Sequence, residues 1–300
     1  MAKGSFHRFK LMTTAAALTA VLAGTLAYGL DYYKLDLKGR AVSTKHAELR
    51  PSGSIGAKLG ILGAAIFCCL YAYPVRKRWK WLQRFGKTKN WLDFHVLFGI
   101  TGPLVVTVHS SFKLQGIAGV AYWLMMAVMW SGFIGRYFYA QIPRRLDTAA
   151  LTLDEIRDQC ASTQKDIERQ GVFSKEELRR VLRTPDPGQI QQMSLAGALF
   201  AMVWTDISRP FRVAGLRRRS CDSFIKKVRM AGGLFSSSNA ELEEALGLVR
   251  RESWLVGKMA FLDRTNQVFQ LWHVVHRPFS YSFAVLAVLH ITLVMLMGYH

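Results

Sequence analysis

Two apolar stretches of this chain each carry a pair of histidines fourteen positions apart, His95 with His109 and His276 with His290. At about 100° per residue, fourteen residues turn a helix through four turns less about 40°. Both imidazoles of a pair then share nearly one face, about 21 Å apart along the axis. Ionisable side chains inside a membrane span are costly and usually face the bundle interior or a functional site, and a neutral ring nitrogen is a common metal ligand. Matched pairs at one interval on two segments therefore point to two ligand sites at different membrane depths.

The residues between the histidines suit a bulky planar group. Gly99 and Gly102 lie four and seven positions after His95, on the same helix face, where the lack of a side chain admits a flat molecule. Ser280, Ala284 and Ala287 stand in similar places after His276. Small residues also serve close packing between membrane helices. His273 lies one turn before His276, but its seventeen-residue interval to His290 turns it to a different face, so His276 is the expected partner. His7, His46 and His300 fall outside the apolar segments and are expected to be solvated.

Five segments are long and apolar enough to position these residues across a bilayer, which takes about twenty helical residues. They run Leu11 to Leu30, Ile55 to Tyr73, Trp91 to Ser111, Val120 to Ala140, and about Pro278 to Tyr299. Lys3, Arg8 and Lys10 precede the first, as in a signal peptide, but its length favours a retained helix. Trp79, Trp81, Trp91 and Tyr137 sit near segment ends and read as an interfacial aromatic belt.

The composition agrees with a helical membrane protein. A formal net charge of +20 accompanies 51% hydrophobic residues and a mean hydropathy of +0.13. Because the Lys and Arg residues cluster beside the apolar runs, the positive-inside rule accounts for them and nucleic-acid binding is not expected. The four cysteines, Cys68, Cys69, Cys160 and Cys221, form no Cys-x-x-Cys. Ferredoxin-type clusters, structural zinc and covalently attached c-type haem are thereby excluded.

Orientation follows from the short loops. The basic amino terminus and the cationic run from Arg76 to Lys89 belong on the cytoplasmic side, and the mixed loop from Asp31 to Ser54 outside. The expected fold is an all-α integral membrane protein. Residues 1–140 supply four transmembrane helices, 141–270 a cytoplasmic helical insert, and 271–300 the fifth helix. Within the insert, Thr152 with Glu155, Ser174 with Glu177, and Ser238 mark helix starts, and Thr184 to Gly188 reads as a loop. Met193 to Trp204 is apolar but too short to span, and suits an interfacial or buried helix. Arg217 to Arg219 and Lys226 to Arg229 form basic runs suited to anionic headgroups or an acidic redox partner.

Paired histidines with thirteen residues between them, on two helices, resemble the bis-histidine di-haem arrangement of the cytochrome b family and of ferric-reductase-type transmembrane domains. The resemblance covers roughly Trp91 to Arg145 and Trp272 to Tyr299. It implies five transmembrane helices forming a haem-binding bundle, with two b-type haems, an inner one between His95 and His276 and an outer one between His109 and His290. Arg277 beside the inner ligand and Arg136 at the end of the fourth helix would then be placed for haem propionates, with ordinary positive-inside anchoring as the alternative. Lys113, Ser110 and Ser111 stand similarly near His109.

Three features depart from those families: these 300 residues contain no flavin and NADPH domain, no Pro-Glu-Trp-Tyr motif, and an insert foreign to both. The implied function is transmembrane electron transfer, as the cytochrome b subunit of a respiratory or redox complex in a bacterial-type cytoplasmic membrane. Its partners would be membrane lipid together with a c-type cytochrome, a flavoprotein or iron-sulfur subunit, or a quinone. The rival reading is a haem-free transporter whose histidines carry protons or a metal ion; such a protein predicts further intramembrane carboxylates, and Asp93 stands nearly alone. A membrane-anchored scaffold is a third, and it leaves the repeated interval unexplained.

Overall fold

A computed structural model describes residues 2–141, 153–170, 173, 187–219 and 240–298. Among these residues all regular secondary structure is helical. The long helices are α1 (Ala2–Tyr28), α5 (Ser54–Arg78), α7 (Thr88–His109), α8 (Gly116–Gln141), α9 (Leu153–Gln170), α11 (Leu195–Arg219) and α12 (Ala240–Leu296). Short helices α2 (Leu30–Lys34), α3 (Leu37–Val42), α4 (His46–Leu49), α6 (Lys80–Gln83) and α10 (Pro187–Gln192) fill the connections. Five segments are long and apolar enough to cross a membrane: Ser5–Tyr28, His46–Arg78, Thr88–His109, Ala118–Gln141 and Glu241–Leu296. Helices suit such sequences because every backbone donor and acceptor is satisfied within the segment.

The chain divides into two compact units, one of Met1–Ile134 with His273–His300 and one of Gly135–Trp272. In the first, Leu18, Leu59, Ile66, Val105 and Val108 form a buried core. Gly63 and Gly102 let α5 and α7 approach closely: a Cβ on Gly102 would lie 3.1 Å from Ile66 and 3.3 Å from Phe67, and one on Gly63 2.9 Å from Val106. This is the small-residue packing that joins helices where lipid removes the hydrophobic drive. Gly102→Leu is expected to force the helices apart at a cost of about 1–3 kcal/mol, seen as a lowered midpoint of thermal unfolding in detergent.

The turns around α7 are fixed by buried polar contacts. Arg76, at the end of α5, is buried; it donates to Thr88 Oγ1 at 2.9 Å and to the carbonyls of Gln83 and Gly86 at 3.2 and 2.7 Å. Past His109 the chain reverses through Ser111 and Phe112, whose φ angles of 49° and 58° lie in the left-handed region, unfavourable for residues with a Cβ. Ser111 is fully buried and donates from Oγ to Leu49 O at 2.6 Å, while its carbonyl accepts from Arg40 at 2.5 Å. These bonds hold a conformation that local preference opposes.

In the second unit α9, α11 and α12 share a core of Ile167, Phe173, Val213, Leu216, Leu242, Leu246 and Val249. A second cluster gathers Phe138, Ile190, Ala198, Met202, Phe261 and Val268. The apolar stretch at Met193 to Trp204 lies mostly within α11, a helix that continues to Arg219. Ala198 and Met202 are buried, whereas Phe200, Trp204, Ile207 and Phe211 are exposed. Arg217 is buried against Glu243 at 2.6 Å, so one residue of the basic run has an ion-pair partner inside the unit. The helix starts read at Thr152, Ser174 and Ser238 lie outside the described residues, as do Cys221 and the second basic run. The Thr184 to Gly188 stretch is described only from Pro187, which opens α10.

Helix α12 runs without a break from Ala240 through Pro278 to Leu296, so the last apolar segment is the end of a much longer helix. Proline inside a membrane-spanning helix is tolerated where neighbours satisfy the freed backbone group.

Candidate functional site

All four paired histidines lie in the first unit. On α7, His95 Nδ1 is 3.0 Å from Leu70 O and His109 Nδ1 is 2.8 Å from Gly56 O, both on α5. A carbonyl oxygen can only accept, so in both rings Nδ1 carries the hydrogen and donates. The acceptors are themselves fourteen residues apart. As the number rises by fourteen along α7 it falls by fourteen along α5, which is antiparallel packing at constant register.

The final part of α12 also runs against α5. Tyr71 donates its hydroxyl to Ser280 O at 2.6 Å, and Phe67 meets Phe283 edge to face with ring centroids 4.8 Å apart. The two histidine-bearing helices, both antiparallel to α5, are therefore parallel to each other. His276 lies near His95, and His290 near His109. Helix α7 packs closely, backbone to backbone, against α5 and against α1.

Helix α8 supplies a hydroxyl partner for the third ring. Ser131 Oγ stands 2.8 Å from Val128 O and 2.6 Å from His276 Nδ1, within hydrogen-bond distance of both. The adjacent Gly132 stays clear of this ring, since a Cβ there would come within 4.0 Å of His276 Cε1. Two of the four histidines, His95 and His109, thus have Nδ1 committed to a backbone carbonyl, and Nε2 is their basic nitrogen. His290 is exposed at the side of α12. His273 also lies near His276.

The glycines and flanking polar residues are placed as follows. Gly102 faces Ile66 and Phe67, and Gly99 stands 4.0 Å from Leu70, measured from a Cβ built on each, so the structure puts α5 beside both. Arg277 and Lys113 are exposed. Arg136 belongs to the second unit, where its guanidinium lies over the Tyr139 ring at 5.6 Å. Ser110 donates to Thr107 O at 2.9 Å, and Ser111 is held in the turn described above.

Two histidines expected to be solvated have partners. His7 Nε2 is 3.1 Å from Asp93 Oδ2, which joins α1 to the start of α7, and His46 Nδ1 is 3.1 Å from the Tyr32 hydroxyl. The His7–Asp93 pair gives the carboxylate near the edge of the α7 span an opposite number on another helix, as isolated carboxylates there require. Neither pairing has a signature in sequence spacing, because the partners stand 86 and 14 positions apart on separate helices.

Among the described residues no group of three or more His, Cys, Asp or Glu side chains converges to hold a metal ion. Comparison with family models, with curated proteins and with solved structures finds no match to this chain.

Proposed function

We propose that this chain is a multi-pass membrane cytochrome that binds two b-type haems, the inner by His95 and His276 and the outer by His109 and His290, and carries electrons across the bilayer. The observation that carries this reading is the state of two rings: His95 and His109 donate from Nδ1 to backbone carbonyls, which makes Nε2 of each the basic nitrogen suited to a metal. Such a hydrogen bond fixes the tautomer and ring orientation of a metal-ligating histidine and raises its basicity.

When bound, haem iron would supply a one-electron ferric–ferrous couple at each level. The chain's own part would be to aim two imidazoles at each iron and tune their basicity through Leu70, Gly56 and Ser131. Moving a charge fully across the membrane is worth about 2.3 kcal/mol per 100 mV. Electrons would enter and leave through a partner: a c-type cytochrome outside, a flavoprotein or iron-sulfur subunit inside, or a quinone in the bilayer. The setting proposed is a bacterial-type cytoplasmic membrane with the amino terminus in the cytoplasm.

The test is a dithionite-reduced minus oxidised spectrum of the detergent-purified protein with pyridine-haemochrome quantification. Low-spin b-type bands with two haems per chain are expected. A colourless protein from haem-replete cells would overturn the reading and favour the transporter. A finer check concerns Ser131: Ser131→Ala is expected to keep both haems but raise the potential of the inner one, because His276 loses a hydrogen-bond acceptor and becomes a weaker donor. Redox titration of the two b bands reads this directly.

A further inference from the structure

Both α7 histidines hydrogen-bond backbone carbonyls of α5 that ordinary helix geometry would leave occupied or out of reach. In a helix the carbonyl of residue i accepts from the N–H of residue i+4. For Leu70 that residue is Pro74, which sits inside α5 and has no N–H to give. The Leu70 carbonyl is thereby released for His95 Nδ1 at 3.0 Å. For Gly56 the residue four on is Gly60, which keeps its N–H but has no side chain. A Cβ at Gly60 would stand 2.7 Å from His109 Cε1 and 2.9 Å from its Nδ1, so the imidazole reaches Gly56 O only because position 60 is bare.

We propose that Pro74 and Gly60 are positioning residues which set the Nδ1–H tautomer and ring angle of His95 and His109, one by removing a competing donor and the other by removing a steric block. The inference deepens the haem reading by saying how α5, which holds none of the four histidines, prepares the ligands. It also makes a statement about the chain alone that does not need haem. Pro74 and Gly60 are fourteen residues apart, the same interval as the histidines they serve and as the carbonyls Leu70 and Gly56.

The first measurement is made on the full-length chain, labelled with 15N at histidine and purified in detergent from haem-deficient cells. His95 and His109 signals are assigned by single substitution. Nδ1–H tautomers at both positions are expected, and Nε2–H at either would overturn the proposal without any variant having to fold. Pro74→Ala restores an N–H that competes for Leu70 O; it is expected to shift His95 toward the other tautomer and leave His109 unchanged. Gly60→Ala is expected to do the reverse. Gly63→Ala controls for helix packing, because its methyl would meet Val106 rather than a histidine. If Gly63→Ala moves the histidine signals as far as Gly60→Ala does, or if neither Pro74→Ala nor Gly60→Ala moves them, the assignment fails.

The haem-loaded protein supplies the second readout. With a weaker hydrogen bond the ligand is less basic and the ferric state less favoured, so Pro74→Ala is expected to raise the potential of one b haem and Gly60→Ala to raise that of the other. Haem-free tautomers as expected in a protein that never binds haem would sink the cytochrome reading and leave the positioning roles standing. The converse, two haems with unmoved potentials and Nε2–H rings, would sink the positioning roles alone.

Discussion

His95→Ala and His276→Ala are expected to abolish the same b-type haem, and His109→Ala and His290→Ala the other. Each single variant should halve the haem content. The double variant within a pair, His95→Ala with His276→Ala, should do no further harm, whereas His95→Ala with His109→Ala should yield a colourless protein. Groups that act as one unit are non-additive and independent sites add, so the pattern of doubles reads the pairing more directly than any single change. The structural basis is the parallel course of α7 and α12, both fixed against α5 by the contacts His95–Leu70, His109–Gly56 and Tyr71–Ser280. Pyridine-haemochrome quantification and low-temperature reduced spectra of the six variants check it. Loss of different haems on replacing His95 and His276 would break the assignment of levels.

Arg40→Ala is expected to destabilise the protein by about 3 kcal/mol or more, with the effect concentrated beside His109. The Arg40 side chain is 8% exposed and donates to three backbone carbonyls: Leu35 O at 2.9 Å, Tyr33 O at 2.7 Å and Ser111 O at 2.5 Å. Hydrogen bonds from a charged donor are worth roughly 1.5–3 kcal/mol each, and buried acceptors left without a partner carry a desolvation penalty besides. The left-handed turn at Ser111 and Phe112 loses one of its two restraints at the same time. Because a planar guanidinium reaches three acceptors in fixed directions, Arg40→Lys should recover only part of the loss. Thermal unfolding followed by circular dichroism measures the stability, and the spectrum of the haem assigned to His109 and His290 should broaden while the other stays sharp. Equal disturbance of both would show that Arg40 acts on the whole bundle rather than on the turn that follows His109.

The spans were legible because a run of about twenty apolar residues is a local property of the chain. Segments near 55–73, 91–111 and 120–140 reappear as α5, α7 and α8 with their ends moved by a few residues. The last segment was legible only as an apolar run from about Pro278 and a helix over 271–300, whereas α12 extends back to Ala240. Proline disfavours the helical region for the preceding residue and removes one hydrogen bond, but neither effect outweighs a continuous helix whose neighbours still pack. The stretch at Met193 to Trp204 was short by composition, and only the helix that carries it on to Arg219 shows that charged residues extend it.

What the sequence by itself determined is whatever depends on distance along one helix: five apolar spans, and two histidine pairs whose fourteen-residue interval puts each pair on one face. What the tertiary structure decided is everything that depends on register between helices. Nothing in the order of residues ties His95 to Leu70, His109 to Gly56, His276 to Ser131 or His7 to Asp93, and nothing there says that Gly102 turns toward Ile66 and Phe67. Helical periodicity is written in local spacing and survives without neighbours. Which carbonyl or hydroxyl a ring nitrogen meets is fixed only when small residues such as Gly60 and Gly63 let two helices close to one register, a choice made by packing among side chains far apart in the chain.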